Sequence, residues 1–352
     1  MSAATTPSRS PDDAGATLVL SLIADVGPVT HRRLLERFGS AGQALAHAFP
    51  PALVRAAVAD ADRLAARARE RGVDLTTSAD ARYPEQLNDL YDPPPALWSH
   101  GDWETLRQPV VAVVGTRRCT AYGRRVTRAL VTELARAGAC IVSGMAHGID
   151  AVAHLTALET GGRTIAVLGT GPDVAYPAAN TGLHRDIGAR GLIISELPPG
   201  AGPDGGSFPR RNRLIAALAS LTIVVEAPLK SGALITARCA MELGRDVGMV
   251  PGPIDAPQSQ GTNEFVREGA HLISSVGEAL SLVGLAAANR RPPVMADDAE
   301  HVTWEAIQGG AVTLDDVCAR ASLPVAQCLA AVTRLELRGV IECTPAGEIR
   351  RR

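Results

Sequence analysis

Three loops of this sequence pair a cation with the start of a helix. FPRRNRLIAAL, Phe208 to Leu218, sets Arg210, Arg211 and Arg213 just ahead of an apolar helical run, with Asn212 between them. GTRR places Gly115, Thr116, Arg117 and Arg118 in a tight turn that leads into a helix at about Tyr122. LKSG brings Lys230, Ser231 and Gly232 to a third helix start. Guanidinium or ammonium groups beside free helix N–H groups, at the positive end of a helix dipole, favour an anion, so phosphate or phosphodiester is the ligand these residues fit. Bond-breaking chemistry is not spelled out in the same way. Ser143, Ser195, Ser207 and Ser231 lack a G-x-S-x-G elbow and an evident His–Asp partner. Glu196 and Glu226 end apolar runs, where single carboxylates are expected to cap or to pair with cations. His147, Asp150 and His154 put two histidines two helical turns apart with no third strong ligand adjacent, a poor metal set, and Asp150 is expected to brace the helix it opens. GTRRCTAYG is not G-x-G-x-x-G, which disfavours a dinucleotide. The expectation is a binding protein, not an enzyme, with no cofactor and no metal.

Something must hold these loops in place. Short apolar runs, VVAVVG (110–115), CIVSG (140–144), TIAVLG (164–169), LIISE (192–196), LTIVVEA (221–227) and DVGMVPG (246–252), alternate with helical segments. That alternation is the signature of βαβ units in a buried parallel sheet, here a doubly wound α/β domain. Ligands of open α/β sheets sit beyond the carboxyl ends of the strands, and the cationic loops follow the first, fourth and fifth of these runs. Upstream, Leu18, Leu22, Ile23 and Val26 have helical spacing, Gly27-Pro28 makes a turn, and Thr30 is expected to cap a helix through Leu35. This helix-hairpin-helix pattern suits either a small packing module or a turn that offers N–H groups to phosphate. LTTSADARYPEQLNDLYDPPPALWSHGD then reads as a connector that wraps another element. Downstream of LAAANRRPPVMADDAE, three helices and a hairpin give the winged-helix pattern. Its third helix, PVAQCLAAVTRLELRG, is mainly apolar with Arg334, Glu336 and Arg338, as suited to a protein contact or core role as to base readout. The expected boundaries are a disordered tail at 1–15, a helical module at 16–72, the α/β domain at 73–284, a linker at 285–299 and a winged helix at 300–352.

The totals agree with this division. A chain of 352 residues is longer than single cores usually grow. Net charge is −2, and of 35 basic residues only Lys230 is a lysine, so a uniformly basic nucleic-acid binder is excluded and any anion site must be local. Aromatic residues make up 3%, which limits base stacking and leaves Phe208 and Tyr122 as its best candidates. Six cysteines without a C-x-x-C pair argue against a disulfide framework and a zinc ribbon. No apolar run has the length of a membrane span, and the first residues lack the apolar stretch of a signal peptide, so the expected compartment is the cytoplasm.

These residues also carry a resemblance. YPEQLNDLYDPPPALWSHGD, VAVVGTRRCTAYG, IVSGMAHGIDAVAHLTALETGGRTIAVLGTGPDVAYP, SELPPG, FPRRNRLIAALA, VVEAPLKSGALITARCAMELGRDVGMVPG and GTNEFVREGAHLI resemble the DNA-processing protein A family (DprA, also called Smf), over about residues 80 to 275. The resemblance implies an extended Rossmann-like domain between a SAM-like helical module and a winged helix. It implies binding of single-stranded DNA in natural transformation, protection of the incoming strand, delivery to the RecA recombinase, and a homodimer formed through the central domain; duplex binding is left open. The family's DNA-binding residues map onto Arg117 and onto Phe208, Arg211, Asn212 and Arg213. His147 departs from the pattern, because relatives commonly have a basic residue there, and GPDGGS offers no cation ahead of Phe208. A phosphoribohydrolase of the lysine-decarboxylase-like class is the rival on fold, but LKSGALITA lacks that class's P-G-G-x-G-T-x-x-E.

Overall fold

A computed structural model describes residues 11–286, 295–344 and 347–351. The expected tail up to residue 10 and the stretch 287–294 of the expected linker lie outside the described residues. The chain divides into two compact units, Met1–Ala288 and Asn289–Arg352.

The first unit opens with four helices, α1 (Pro11–Ser21), α2 (Pro28–Phe38), α3 (Ala41–Ala48) and α4 (Pro51–Glu70). Two expectations are corrected here. Helix α1 begins at Pro11, inside the stretch read as tail. Helix α2 starts at Pro28 with Gly27 as its uncapped N-cap, so Thr30 lies within the first turn and caps nothing. Proline at the first helical position lacks only an N–H that would have no partner there, so the Gly-Pro turn itself starts the helix. Leu18, Leu20, Ile23 and Val26 bury together with Ala57, Ala61 and Trp98, which ties this module to the strand carrying Trp98.

The 73–102 stretch is not a wrapping connector. It supplies strands β1 (Asp74–Thr77) and β2 (Ala96–Gly101), paired antiparallel, and β2 runs antiparallel along a later strand of the main sheet. Between them the buried Tyr83 hydroxyl donates to Pro94 O at 2.8 Å, so the proline-rich segment folds back on itself.

The six apolar runs form β3 (Val110–Val114), β4 (Cys140–Ser143), β5 (Thr164–Leu168), β6 (Leu192–Ser195), β7 (Leu221–Val224) and β8 (Asp246–Met249), with β9 (His271–Leu272) at the edge. Helices α5 (Ala121–Arg136), α6 (Ile149–Glu159), α7 (Thr181–Arg190), α8 (Ser207–Leu218), α9 (Gly232–Glu242), α10 (Gln260–Arg267) and α11 (Val276–Leu282) follow these strands in turn. The order across the nine-stranded sheet is β1-β2-β6-β5-β4-β3-β7-β8-β9, with parallel pairing from β6 to β9. Alternation along β3 builds both faces of the core. Val110, Ala112 and Val114 pack with Leu214, Ala217 and Leu234 from α8 and α9, while Val111 and Val113 pack with Leu130, Leu134 and Ala153 from α5 and α6. Both faces are covered, which is why every residue of β3 is apolar and buried. From β3 the chain winds outward to β6, then α8 carries it back across the other face to β7. The loops after β3 and β7 therefore leave neighbouring strands toward opposite faces, the crevice where open α/β sheets take ligands.

The second unit contains α12 (Asp298–Gln308), α13 (Leu314–Ala321), α14 (Val325–Leu337) and an antiparallel pair, β10 (Ile341–Cys343) and β11 (Ile349–Arg351). Its core joins Trp304, Ile307, Val317, Cys328, Leu335 and Ile341. This is the expected winged helix. Helix α12 begins at Asp298, earlier than the expected start at 300.

Candidate functional site

A cavity of about 610 Å³ opens at the crevice between β3 and β7. Gly115, Thr116, Arg117 and Arg118 form one wall, Phe208, Arg211 and Asn212 a second, and Ser231 and Gly232 a third. The three loops singled out in the sequence thus meet at one place.

Backbone contacts shape the first wall. Thr116 N donates to Glu226 O at 2.7 Å, and Arg118 N donates to Thr116 Oγ1 at 3.2 Å. The buried Glu226 carboxylate accepts from Thr120 N at 2.9 Å, while Thr120 Oγ1 caps α5 by accepting from Gly123 N at 3.1 Å. Glu226 therefore holds the turn, in the capping role expected of a strand-end carboxylate. Gly148 approaches this turn at φ 80°, a conformation suited to glycine, and a Cβ there would come within 2.8 Å of Arg117 C. Arg117 and Arg118 are exposed, and among the described residues neither has a carboxylate within 4 Å.

The second wall follows from helical spacing. Phe208, Arg211, Asn212 and Ile215 lie on one face of α8 and all border the cavity. Pro209 sits in the first turn, where a missing N–H costs nothing, so it does not delay the helix, which begins at Ser207. Arg211 is 6% exposed and forms the floor. Its Nη1 donates to Val167 O, and its Nε has no hydrogen-bond partner among the described residues. The guanidinium fills the place a side chain at Gly144 would take, since a Cβ there would lie 2.5 Å from Arg211 Cζ. Asp150 stands beside it and accepts from Gly144 N at 3.2 Å and Ala146 N at 3.4 Å, the bracing role expected of it. Burial pushes the Asp150 carboxyl up, with Arg211 opposing that shift. Burial also lowers the Arg211 guanidinium to about 10, with Asp150 supporting its charge, so at neutral pH the floor stays cationic. Asn212 Nδ2 donates to Gly232 O at 3.1 Å and ties α8 to the start of α9, which Ser231 caps by accepting from Ala233 N at 3.3 Å.

His147 borders a smaller adjoining cavity of about 80 Å³ with Arg117, Tyr176, Phe208 and Arg211. The Phe208 and Tyr176 rings lie 5.1 Å apart at 32°, and the Arg117 guanidinium sits 5.9 Å from the Phe208 centroid. Tyr176, in the loop after β5, is not among the residues that the sequence pattern singles out. Tyr122, expected to stack, instead donates its hydroxyl to Pro251 O at 2.7 Å and borders none of these cavities.

Besides His147, three expected residues stand apart from the main cavity. Arg213 is turned away and buried, pairing with Glu196 at 2.6 Å and Asp92 at 3.2 Å. The reason is geometric: Arg211 and Arg213 are two residues apart on a helix and cannot face one cavity. Arg210 lies on the neighbouring flank of α8, 3.8 Å from Glu196. Lys230 is exposed next to the cap of α9 but does not line the cavity. His154 is buried with Nδ1 2.7 Å from Thr164 Oγ1, so it and Asp150 serve different partners. In the second unit, Arg334 of α14 and Arg338 just after it are drawn to the buried Glu300, and Arg334 also reaches Asp297. The outer side of α14 exposes Val325, Leu329 and Leu337.

Sequence-family models match nearly the whole chain: DNA recombination-mediator protein A over residues 74–284, the DprA winged helix domain over 286–347 and the DprA-like N-terminal HHH domain over 12–76. A putative DNA processing protein DprA of Mycobacterium tuberculosis is 40% identical over 260 residues, covering 71% of this chain and 67% of the relative. The X-ray structure of DNA processing protein A from Streptococcus pneumoniae is 36% identical with a TM-score of 0.68, covering 76% of this chain and 97% of that one. A Helicobacter pylori structure, described as giving insight into the single-stranded DNA binding mode of DNA processing protein A, is 36% identical with a TM-score of 0.55, covering 59% and 94%.

Proposed function

The chain belongs to the DNA recombination-mediator protein A family, and from that membership and the cavity between β3 and β7 we propose that it binds single-stranded DNA in DNA processing during natural transformation. The observation that carries this reading is two exposed arginines, Arg117 and Arg118, with no carboxylate within 4 Å among the described residues, above a buried arginine, Arg211, at the crevice of the sheet. Phosphates engage Arg117 and Arg118, with the Arg211 charge beneath them; Asn212, Ser231, Gly232 and the Gly115–Thr116 turn form the polar rim. Phe208 and Tyr176 offer ring faces to a base, and His147 lies at that end of the site. Arg213 serves indirectly by fixing α8. A recessed cavity admits a flexible backbone more readily than a rigid duplex, and the single-stranded DNA binding described for the Helicobacter protein supports the same ligand.

In the cell the protein acts in the cytoplasm as a homodimer joined through the central domain, shelters incoming strands and passes them to RecA, without catalysis. Family resemblance supports this part. No helix among the described residues is long and apolar enough to cross a membrane.

Competition between single-stranded and duplex DNA, with wild type and Arg117→Ala side by side, tests the binding reading. Single strands should win, and the substitution should weaken them; equal competition, or full single-strand affinity in the variant, would show that the site has been misassigned. RecA assembly on single strands, timed with and without the protein, tests the delivery step, and an unchanged rate removes it.

A further inference from the structure

A second cavity, of about 350 Å³, lies on the other flank of α8, between the α1–α2 turn, β2 and the loop after β6. We propose that it is a nucleobase subsite of the same groove, so that a DNA strand straddles the amino end of α8 with a base on each side and the connecting phosphate beside Arg210. This inference rests on the single-strand reading above.

Helical spacing supports the straddle. Phe208, Arg211, Asn212 and Ile215 face the first cavity, whereas Ser207, Arg210 and Arg211 face the second, so α8 is a ridge and Arg211 belongs to both sides. The second cavity falls within the range of about 300–1,000 Å³ typical of small-ligand pockets. Its walls suit a flat, largely apolar group: Leu22 and Val26 from the helical module, Ala96 and Trp98 from β2, Leu197 and Pro198 from the loop. Arg210 is the cation at its edge. Its contact with Glu196 is loose at 3.8 Å, while Arg213 holds the same carboxylate oxygen at 2.6 Å, so Arg210 can turn to a phosphate without stranding Glu196. Arg211, buried between the two cavities, sets its charge beneath an anion that crosses this ridge. The helical module thereby becomes part of the DNA path instead of a separate packing unit.

Photocrosslinking of the full chain to oligothymidylate carrying 4-thiothymidine tests the proposal. Crosslinked peptides should come from two places, one holding Tyr176 or Phe208 and one holding Leu22–Val26 or Trp98. Arg210→Ala should weaken binding about fivefold, the scale of one partly exposed charge-assisted contact. Leu22→Trp, which fills the cavity, should remove the second crosslink and keep the first. Arg210→Ala changes an exposed side chain, so its result stands even if Leu22→Trp misfolds. Crosslinks on the Phe208 side only, with Arg210→Ala binding as wild type and Arg117→Ala still weakened, would overturn the subsite, leave single-strand binding intact and assign the cavity to an occupant other than DNA. Wild-type binding by Arg117→Ala as well would overturn both.

Discussion

Replacing Arg117 with alanine isolates the electrostatic part of the site, because its side chain is exposed and among the described residues carries no ion pair. Three cations border the main cavity: Arg117, Arg118 and Arg211. Each phosphate neutralised on a single strand contributes roughly −0.7 to the slope of log affinity against log salt, so three contacts give a slope of about −2. For these three contacts, raising salt from about 50 to 200 mM should weaken binding about 18-fold, and with one contact fewer the slope falls to about −1.4 and the loss to about 7-fold; a contact at Arg210 would add equally to both slopes. Fluorescence anisotropy with a short labelled oligothymidylate, repeated at four or five salt concentrations, reads both slopes directly. If the two slopes coincide, Arg117 touches no phosphate. If wild-type affinity is insensitive to salt, the phosphate-centred account of the whole cavity fails.

Arg213→Ala should do the reverse, leaving the salt slope unchanged while lowering unfolding stability by about 3 kcal/mol, because it strands the partly buried Glu196 and Asp92; a changed slope with unchanged melting would put Arg213 in the DNA path. Tyr176→Ala should weaken single-strand binding about tenfold at every salt concentration, the scale of one lost stacking contact, and equal affinity would remove Tyr176 from the site. Acid should destabilise the fold through its buried histidines. Burial lowers His31 to about 4 and His154 to about 3, below the 6.5 of an unfolded histidine. The unfolded chain therefore takes up protons that the folded chain refuses: stability is full above pH 6.5 and declines as pH falls toward the folded values, by on the order of 3 kcal/mol for His31. Urea unfolding from pH 7 to 4.5 should show a shallower decline in His31→Gln than in wild type. Comparing the two also separates this effect from Asp150 and Glu196, whose raised carboxyls act in the opposite direction.

Strand positions in the central sheet were legible because a doubly covered sheet demands continuous apolar runs, and the glycines that close them mark the turns. The edge strands β1 and β2 were not, since Asp74–Thr77 has no alternation strong enough to stand out and the triple proline that ends at Pro95 reads as loop. The convergence of GTRR, FPRRNR and LKSG was legible from their places beyond the carboxyl ends of apolar runs. Which arginines share a wall did not, yet the signal was present: on a helix, Phe208 predicts Arg211 and Asn212 as neighbours and sends Arg213 elsewhere. Tyr176 was hidden for a different reason, because its pairing with Phe208 joins a loop to the first turn of α8, 32 residues away in the chain, and no local periodicity encodes it.

The fit of Arg211 into the space left by Gly144 makes the two positions one unit of inheritance. Any side chain at 144 collides with the guanidinium, whereas truncation of Arg211 vacates that space, so the damage done by Gly144→Ala should largely vanish in an Arg211→Ala background. The order of change then matters. A side chain gained at 144 first displaces the guanidinium from its seat, and once both positions have changed, restoring the arginine alone meets a filled seat.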